Sequence, residues 1–166
     1  MSVYSEKITV VSDGKRISYH EITARVREAV KKSKITQGIV AVCTVHTTCS
    51  VFYEEMVHDR NWYGDEFLQV DLNEVMEKII PTCTTEGMYH YPGPLHAKFA
   101  EEEMHDDKTR CLNTDAHLRA TLVGNSVTLP VIDAEVVTGK FGYIYFVDWD
   151  RKVERERSIY IQVLGE

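Results

Sequence analysis

The chain has 166 residues, 43% of them apolar, and its 19 Lys and Arg face 26 Asp and Glu for a net charge of −7. That length suits one compact domain with a full core, so residues 1–166 are expected to form a single domain. The acidic balance, with no long basic run to neutralise a phosphate backbone, argues against nucleic acid as a partner.

No stretch approaches the length of a membrane span, and the opening MSVYSEKITVVSDGKR lacks the charged and apolar regions of a leader, so a cytoplasmic protein without membrane contact is expected. The four cysteines, Cys43, Cys49, Cys83 and Cys111, show no C-x-x-C pairing and read as reduced thiols. Neither a P-loop nor a Rossmann glycine pattern is present, which disfavours nucleotide binding by those modes.

In chain order, Lys7 to Val11 and Arg16 to His20 read as two strands of a hairpin turned at Asp13-Gly14, residues that tolerate positive φ. Ile22, Val26, Ala29 and Val30 recur with helical spacing ahead of Lys31 and Lys32, which predicts a helix over Thr23 to Ser33. GIVAVCTVH, from Gly38, is nearly all apolar and predicts a strand covered on both faces, followed by a strand from Ser50 to Glu55. Leu72, Val75, Met76, Ile79 and Ile80 form a helical stripe, with Asp71 and Glu74 as a capping pair and Pro81 as the stop.

Residues 82–114 have weak periodicity, a YPGP turn and an acidic run, and read as an enlarged loop; loops this long in compact domains are usually functional or disordered. Counted with the flanking His117, the segment holds four histidines. Asp115 to Val123 reads as a short helix ended by Gly124-Asn125, followed by strands at Val127 to Val131, Phe141 to Val147 and Ser158 to Val163. The sum is an α+β fold: β-sandwich-like, with mixed or antiparallel sheets joined mostly through hairpins and flanked by two main helices.

Strand alternation puts Val40, Val42, Thr44 and His46 on one face, so His46 ends a buried row where a side chain can reach solvent. It either caps the strand through a neighbouring carbonyl or takes part in a site. With Thr114 as N-cap, His117 occupies the third helical position, where the positive helix end keeps its ring in the neutral, metal-binding form. His105, in MHDD, has Asp106 and Asp107 beside it, either to orient the imidazole or as part of a solvated acidic loop. Three histidines and a water would make a catalytic zinc geometry, though no short ligand spacing enforces it.

Glu54 and Glu55 could supply a general base or simply end a strand with exposed acids. Arg151, Arg155 and Arg157 could clamp phosphate, or share a mixed-charge surface with Asp150, Glu154 and Glu156. Cys49 reads better as a small buried residue than as a nucleophile.

Taken in order, HTTCSV with EE close behind (46–55), MHDD (104–107), DAHLRATLVGNSVTLPV (115–131), TGKFGYIYF (138–146) and an arginine before a final strand ending VLGE resemble the YjbQ-like family, the secondary thiamine-phosphate synthases. The resemblance runs through nearly the whole chain. It implies a homotrimer whose clefts gather histidines around a metal or an anion. Carried over by position, His46, His105 and His117 would hold a divalent metal, zinc by default. Glu55 and Arg157, with Arg155 as rival alignment, would serve catalysis. Thr47, Thr48 and Arg155 would bind an anion.

The implied reaction joins a pyrimidine pyrophosphate to a thiazole phosphate and releases pyrophosphate, so the partner is a phosphorylated small molecule. A metal-dependent hydrolase of a phosphate or acyl bond and a non-catalytic trimeric metabolite- or metal-binding module are the alternatives. The chain departs from the family pattern at Phe141-Gly142, where Trp-Gln is common, and at Glu54, where Asn is usual. His90 and His96 have no named counterpart.

Overall fold

A computed structural model describes residues 1–102 and 108–166, so His105, Asp106 and Asp107 lie outside the described residues. The elements in order are β1 (Ser2–Val11), β2 (Ser18–Glu21), α1 (Thr23–Ser33), β3 (Gln37–Thr44), β4 (Cys49–Glu55), α2 (Phe67–Ile79), α3 (Pro94–Glu102), a 3-10 turn (Lys108–Cys111), α4 (Thr114–Val123), β5 (Ser126–Ile132), β6 (Glu135–Val136), β7 (Gly142–Asp148) and β8 (Glu156–Gly165). Among the described residues no helix is long and apolar enough to cross a membrane.

The strands form two antiparallel sheets, one ordered β1-β8-β3-β5-β6 and the other β2-β7-β4. Period-two alternation explains how they pack. Val40 and Val42 of β3 and Ile159, Ile161 and Val163 of β8 meet Val51 of β4 and Ile144 and Phe146 of β7, with Val26, Ala29 and Val30 of α1 closing the same core. The opposite face of the small sheet packs Val147, followed by Trp149, on Met76 of α2 and Ala116 and Ala120 of α4. Central strand β7 is therefore buried on both faces, which is why its sequence, GYIYFVD, is almost continuously apolar.

The α+β sandwich with antiparallel sheets agrees with the sequence reading, and α1 has the bounds its spacing predicts. The connections differ. β1 and β2 do not form a hairpin: β1 pairs with β8 and β2 with β7. The Asp13-Gly14 signal was real but local. Gly14 has φ +73, and a Cβ there would sit 2.0 Å from the Glu154 backbone nitrogen, so the glycine serves a close chain crossing between sheets. Among the described residues only β5 and β6 pair as sequence neighbours; the remaining pairings of named strands are long-range, where hairpins were expected.

Helix α2 starts earlier than expected. Its N-cap is Glu66, in a reciprocal box with Gln69, instead of Asp71 with Glu74. Of the predicted stripe, Met76 is buried while Val75 and Ile79 are about half exposed, because the helix covers the small sheet with one edge only. Likewise the outer face of β3 is only partly covered, with Ile39 exposed and Ala41 and Cys43 half-buried. The segment read as a long loop contains α3, which joins the two main helices and the short helix at Asp115–Val123 to make four α-helices among the described residues.

Candidate functional site

The inward rows end in polar groups at one end of the sandwich. On β8, Ile161 and Ile159 lead to Arg157; on β7, Ile144 and Phe146 lead to Asp148; on β3, Val42 and Thr44 lead to His46. Arg157 and Asp148 are both buried, and they meet through two bonds: Nε donates to Oδ2 at 2.6 Å and Nη2 to Oδ1 at 3.2 Å. Arg157 Nη2 also donates to Thr48 Oγ1 at 3.2 Å. The guanidinium is thus held in one orientation.

Beyond it lies a cavity of about 360 Å³, with His46, Thr47, Thr48, Arg155 and Arg157 on the sandwich side and Tyr91, His96, Arg110, Asn113 and His117 on the other, with Asp150 between. Two hollows of about 590 and 600 Å³ lie elsewhere, but neither is lined by a histidine. The smaller cavity is the candidate site because arginines, hydroxyls and imidazoles converge there.

Residues 46–49 form its floor as a tight turn, with the Cys49 N–H donating to the His46 carbonyl at 3.0 Å and the Trp149 N–H to the Thr48 carbonyl at 3.1 Å. The Ser158 N–H donates to His46 Nε2 at 2.9 Å. Burial, reinforced by Arg157, lowers the His46 pKa. The ring is therefore neutral near pH 7 with its proton on Nδ1, because a neutral imidazole has one acceptor nitrogen and Ser158 uses it. The bond is made to a backbone N–H, where the sequence suggested a carbonyl.

His117 is fixed differently. The helix N-cap is Asn113, so Thr114 is the first helical residue and His117 the fourth, one position further in than expected. The Thr47 backbone and Asp150 both favour its protonated form, yet burial outweighs them and lowers the pKa. A ring that donates one N–H to a backbone carbonyl keeps a lone pair on its other nitrogen.

The metal reading needs His105, so the described residues hold only two of its three histidines. They contain no group of three or more His, Cys, Asp and Glu side chains able to hold a metal ion. His117 retains a nitrogen for one, whereas His46 would first have to release Ser158, and His105 is outside the described residues.

The structure brings His46, His117, Thr47, Thr48, Arg155 and Arg157 to one cavity and leaves Glu55 out of it. Glu55 pairs with Gly142 at the far end of β4, six residues from Cys49. The Phe141-Gly142 departure belongs to that same far end, where a Cβ on Gly142 would collide with the Tyr53 ring. Arg151 is also elsewhere, donating to Asp115 at 2.6 Å and Thr82 at 2.9 Å. Cys49 is buried, and burial pushes its thiol pKa up, which suits an inert core residue.

Sequence reasoning missed Asp148, Asp150, Asn113, Tyr91, His96 and Arg110. Asp150, read as part of a charged surface, is buried, accepting from Lys152 N–H at 2.9 Å and Asn113 Nδ2 at 3.1 Å. The available signal was the strand row itself, since an acid at 148 in step with Ile144 and Phe146 must be buried and therefore paired. Nothing local marked Tyr91 or His96 as neighbours of His117.

Fold and cavity together define a two-sheet α+β sandwich with a basic, imidazole-lined pocket at one end. Over residues 6–166 the sequence matches the family described as UPF0047 protein YjbQ-like, and the chain belongs to that family. A UPF0047 protein of Archaeoglobus fulgidus is 30% identical over 150 residues, covering 90% of this chain and 94% of the relative. One of Methanothermobacter thermautotrophicus is 26% identical over 166 residues, covering 100% and 95%. Among solved structures, a YbjQ-like protein of unknown function from Sulfolobus solfataricus P2 superposes with a TM-score of 0.72 at 26% identity, covering 99% of this chain and 98% of that one. A hypothetical protein from Aeropyrum pernix K1 shares the fold with a TM-score of 0.72 at 23% identity, covering 98% of each chain.

Proposed function

We propose that the cavity binds the phosphate of a small phosphorylated molecule and that His117 exchanges a proton with the bound substrate. The observation that carries this reading is the convergence of Arg155, Arg157, Thr47 and Thr48 on one pocket beside two neutral imidazoles, in a chain with a net charge of −7. Arg157 spends Nε and Nη2 on Asp148 and Thr48, which leaves Nη1 for a ligand oxygen. Its orientation is set before the ligand arrives, so little is lost in ordering it.

A pocket of this kind favours reactions in which negative charge grows on a departing phosphate or pyrophosphate. The joining of a pyrimidine pyrophosphate to a thiazole phosphate, suggested by the family resemblance, is such a reaction and is the activity to assay first. In that reaction the bond from carbon to pyrophosphate breaks as the thiazole nitrogen bonds the same carbon, and the arginines hold the leaving pyrophosphate. Quaternising that nitrogen releases no proton, so His117 exchanges one only transiently. Glu55 has no part in this version of the site. Hydrolysis of a phosphate ester would use the same residues with water as the acceptor.

Titration calorimetry with inorganic phosphate and pyrophosphate tests the binding step. Saturable binding that weakens about tenfold or more in Arg155→Ala supports the reading. The absence of binding, or binding indifferent to that change, overturns it. Metal content of the purified protein decides whether zinc joins the site, since three-imidazole ligation requires His46 to leave Ser158. We also propose the homotrimer, with the exposed apolar outer face of β3 and β8, including Ile39 and Tyr160, as the contacting surface; light scattering measures the assembly.

A further inference from the structure

The segment between α2 and α4 supplies residues that no sequence feature tied to the pocket. Tyr91 is half-buried and reaches three ways. Its hydroxyl lies 2.9 Å from His96 Nε2, and the two rings are 4.8 Å apart at an interplanar angle of 48°. Its ring meets the His117 imidazole edge-on, with centroids 5.4 Å apart at 69°. Its carbonyl accepts the Thr114 hydroxyl at 2.8 Å, which ties Tyr91 to the first residue of the helix that bears His117.

His117 is therefore packed against the Tyr91 ring, while the Thr47 backbone favours an N–H turned toward it. The distinction matters because an imidazole can turn over by half a rotation and exchange its nitrogens. In one orientation the N–H faces the Thr47 carbonyl and the lone pair is left for the cavity. In the other a lone pair would face the carbonyl oxygen. An edge-on aromatic neighbour restricts that rotation as well as adding attraction.

We propose that Tyr91, braced by His96, is a positioning residue that keeps His117 in a single orientation and tautomer. This rests on the reading of His117 as the proton-exchanging group, and it gives α3 a purpose: the helix delivers His96 to Tyr91. Neither residue needs to touch the substrate for this role, although both line the cavity.

The test is nitrogen NMR of the protein labelled at histidine, recorded at pH 8 so that the rings are neutral, with the His117 signals assigned by loss in His117→Gln. Wild type should show one dominant His117 tautomer. Tyr91→Leu should give a mixed, averaged pattern at His117, and Tyr91→Phe or His96→Ala a partial loss of the single-tautomer pattern. His96→Gln, which can still hydrogen-bond the hydroxyl, should restore it. Tyr91→Phe combined with His96→Ala should be no worse than either alone, because both remove the same bond.

An unchanged His117 spectrum in Tyr91→Leu and His96→Ala overturns the proposal. A change seen equally at His20, which lies away from the cavity, also overturns it by revealing general loosening. Phosphate titration of the wild type is read separately: failure to bind phosphate sinks the functional reading, while the tautomer result stands on its own.

Discussion

The Ser158 N–H donates to His46 Nε2 at 2.9 Å, so the histidine that opens the HTTC turn works as the acceptor for a backbone donor at the head of β8. Thr44, one step back on the same row, supports the arrangement by donating its hydroxyl to the Ser158 carbonyl at 3.0 Å. β3 and β8 are thereby joined past the end of their ladder, at the floor of the cavity. His46→Ala leaves the Ser158 N–H without that partner, and a loss of about 1–3 kcal/mol in urea unfolding is expected. His46→Gln, whose amide oxygen can accept, should lose less. Equal losses in the two variants would show that the bond contributes nothing.

Arg157 and Asp148 form a buried pair, the carboxylate shut off from water and the guanidinium open only toward the cavity. Removing one partner strands the other, so Asp148→Ala should cost about 3–5 kcal/mol in chemical denaturation. Replacing both, with Arg157→Met and Asp148→Leu, should recover most of that stability while leaving the pocket without its oriented guanidinium. Phosphate affinity then stays low in a well-folded protein, which separates the pair's place in folding from its place in binding.

Glu55→Gln should leave phosphate and pyrophosphate affinity unchanged within about twofold, since a neutral replacement far from the cavity alters neither a contact nor the local field much. Arg155→Ala, from within the cavity, should weaken it about tenfold or more. Calorimetry on the two variants side by side compares the residue that the family pattern pairs with the site against one that the cavity contains. The opposite ranking would place the site at the far end of β4.

Acid should destabilise the fold in two stages. Burial lowers the pKa values of His20, His46 and His117 in the folded state. Their contribution is therefore fully present above the unfolded value near 6.5 and is lost as pH falls through the lowered folded values. Glu77 follows at lower pH. Burial opposes its ionisation, but bonds from Thr82 and Arg119 win and bring its pKa to about 2. Its stabilisation is lost between the ordinary glutamate range and pH 2. Melting temperature against pH should fall first below about 6.5. His20→Leu should flatten that first slope, because His20 Nε2 is buried without a hydrogen-bond partner. An unchanged slope would place the pH dependence on the cavity histidines.

Legibility followed the range of the interactions. Helix α1 was readable to the residue because its apolar spacing and terminal lysines are local signals. The start of α2 was missed because Glu66 is a less usual cap than Asp71. Its carboxylate is also held by the Val57 N–H at 2.7 Å and the Tyr145 hydroxyl, contacts made from distant parts of the chain. At the site, the two-residue period of β3 correctly put His46 at the rim of the core. The same rule applied to β7 would have shown Asp148 to be buried and so in need of a cation.

By itself, then, the sequence determined most of the strands and helices, though not α3 or β6, and that His46 ends an inward-facing row. These follow from backbone periodicity and from the cost of exposing apolar side chains, both properties of short stretches. Only the tertiary structure decided that β1 joins β8 and not β2, that Glu55 lies at the opposite end from His46, and that Tyr91 and His96 stand beside His117. Those relations depend on which distant segments share a sheet end, and a local pattern is compatible with several such arrangements until the whole core is packed.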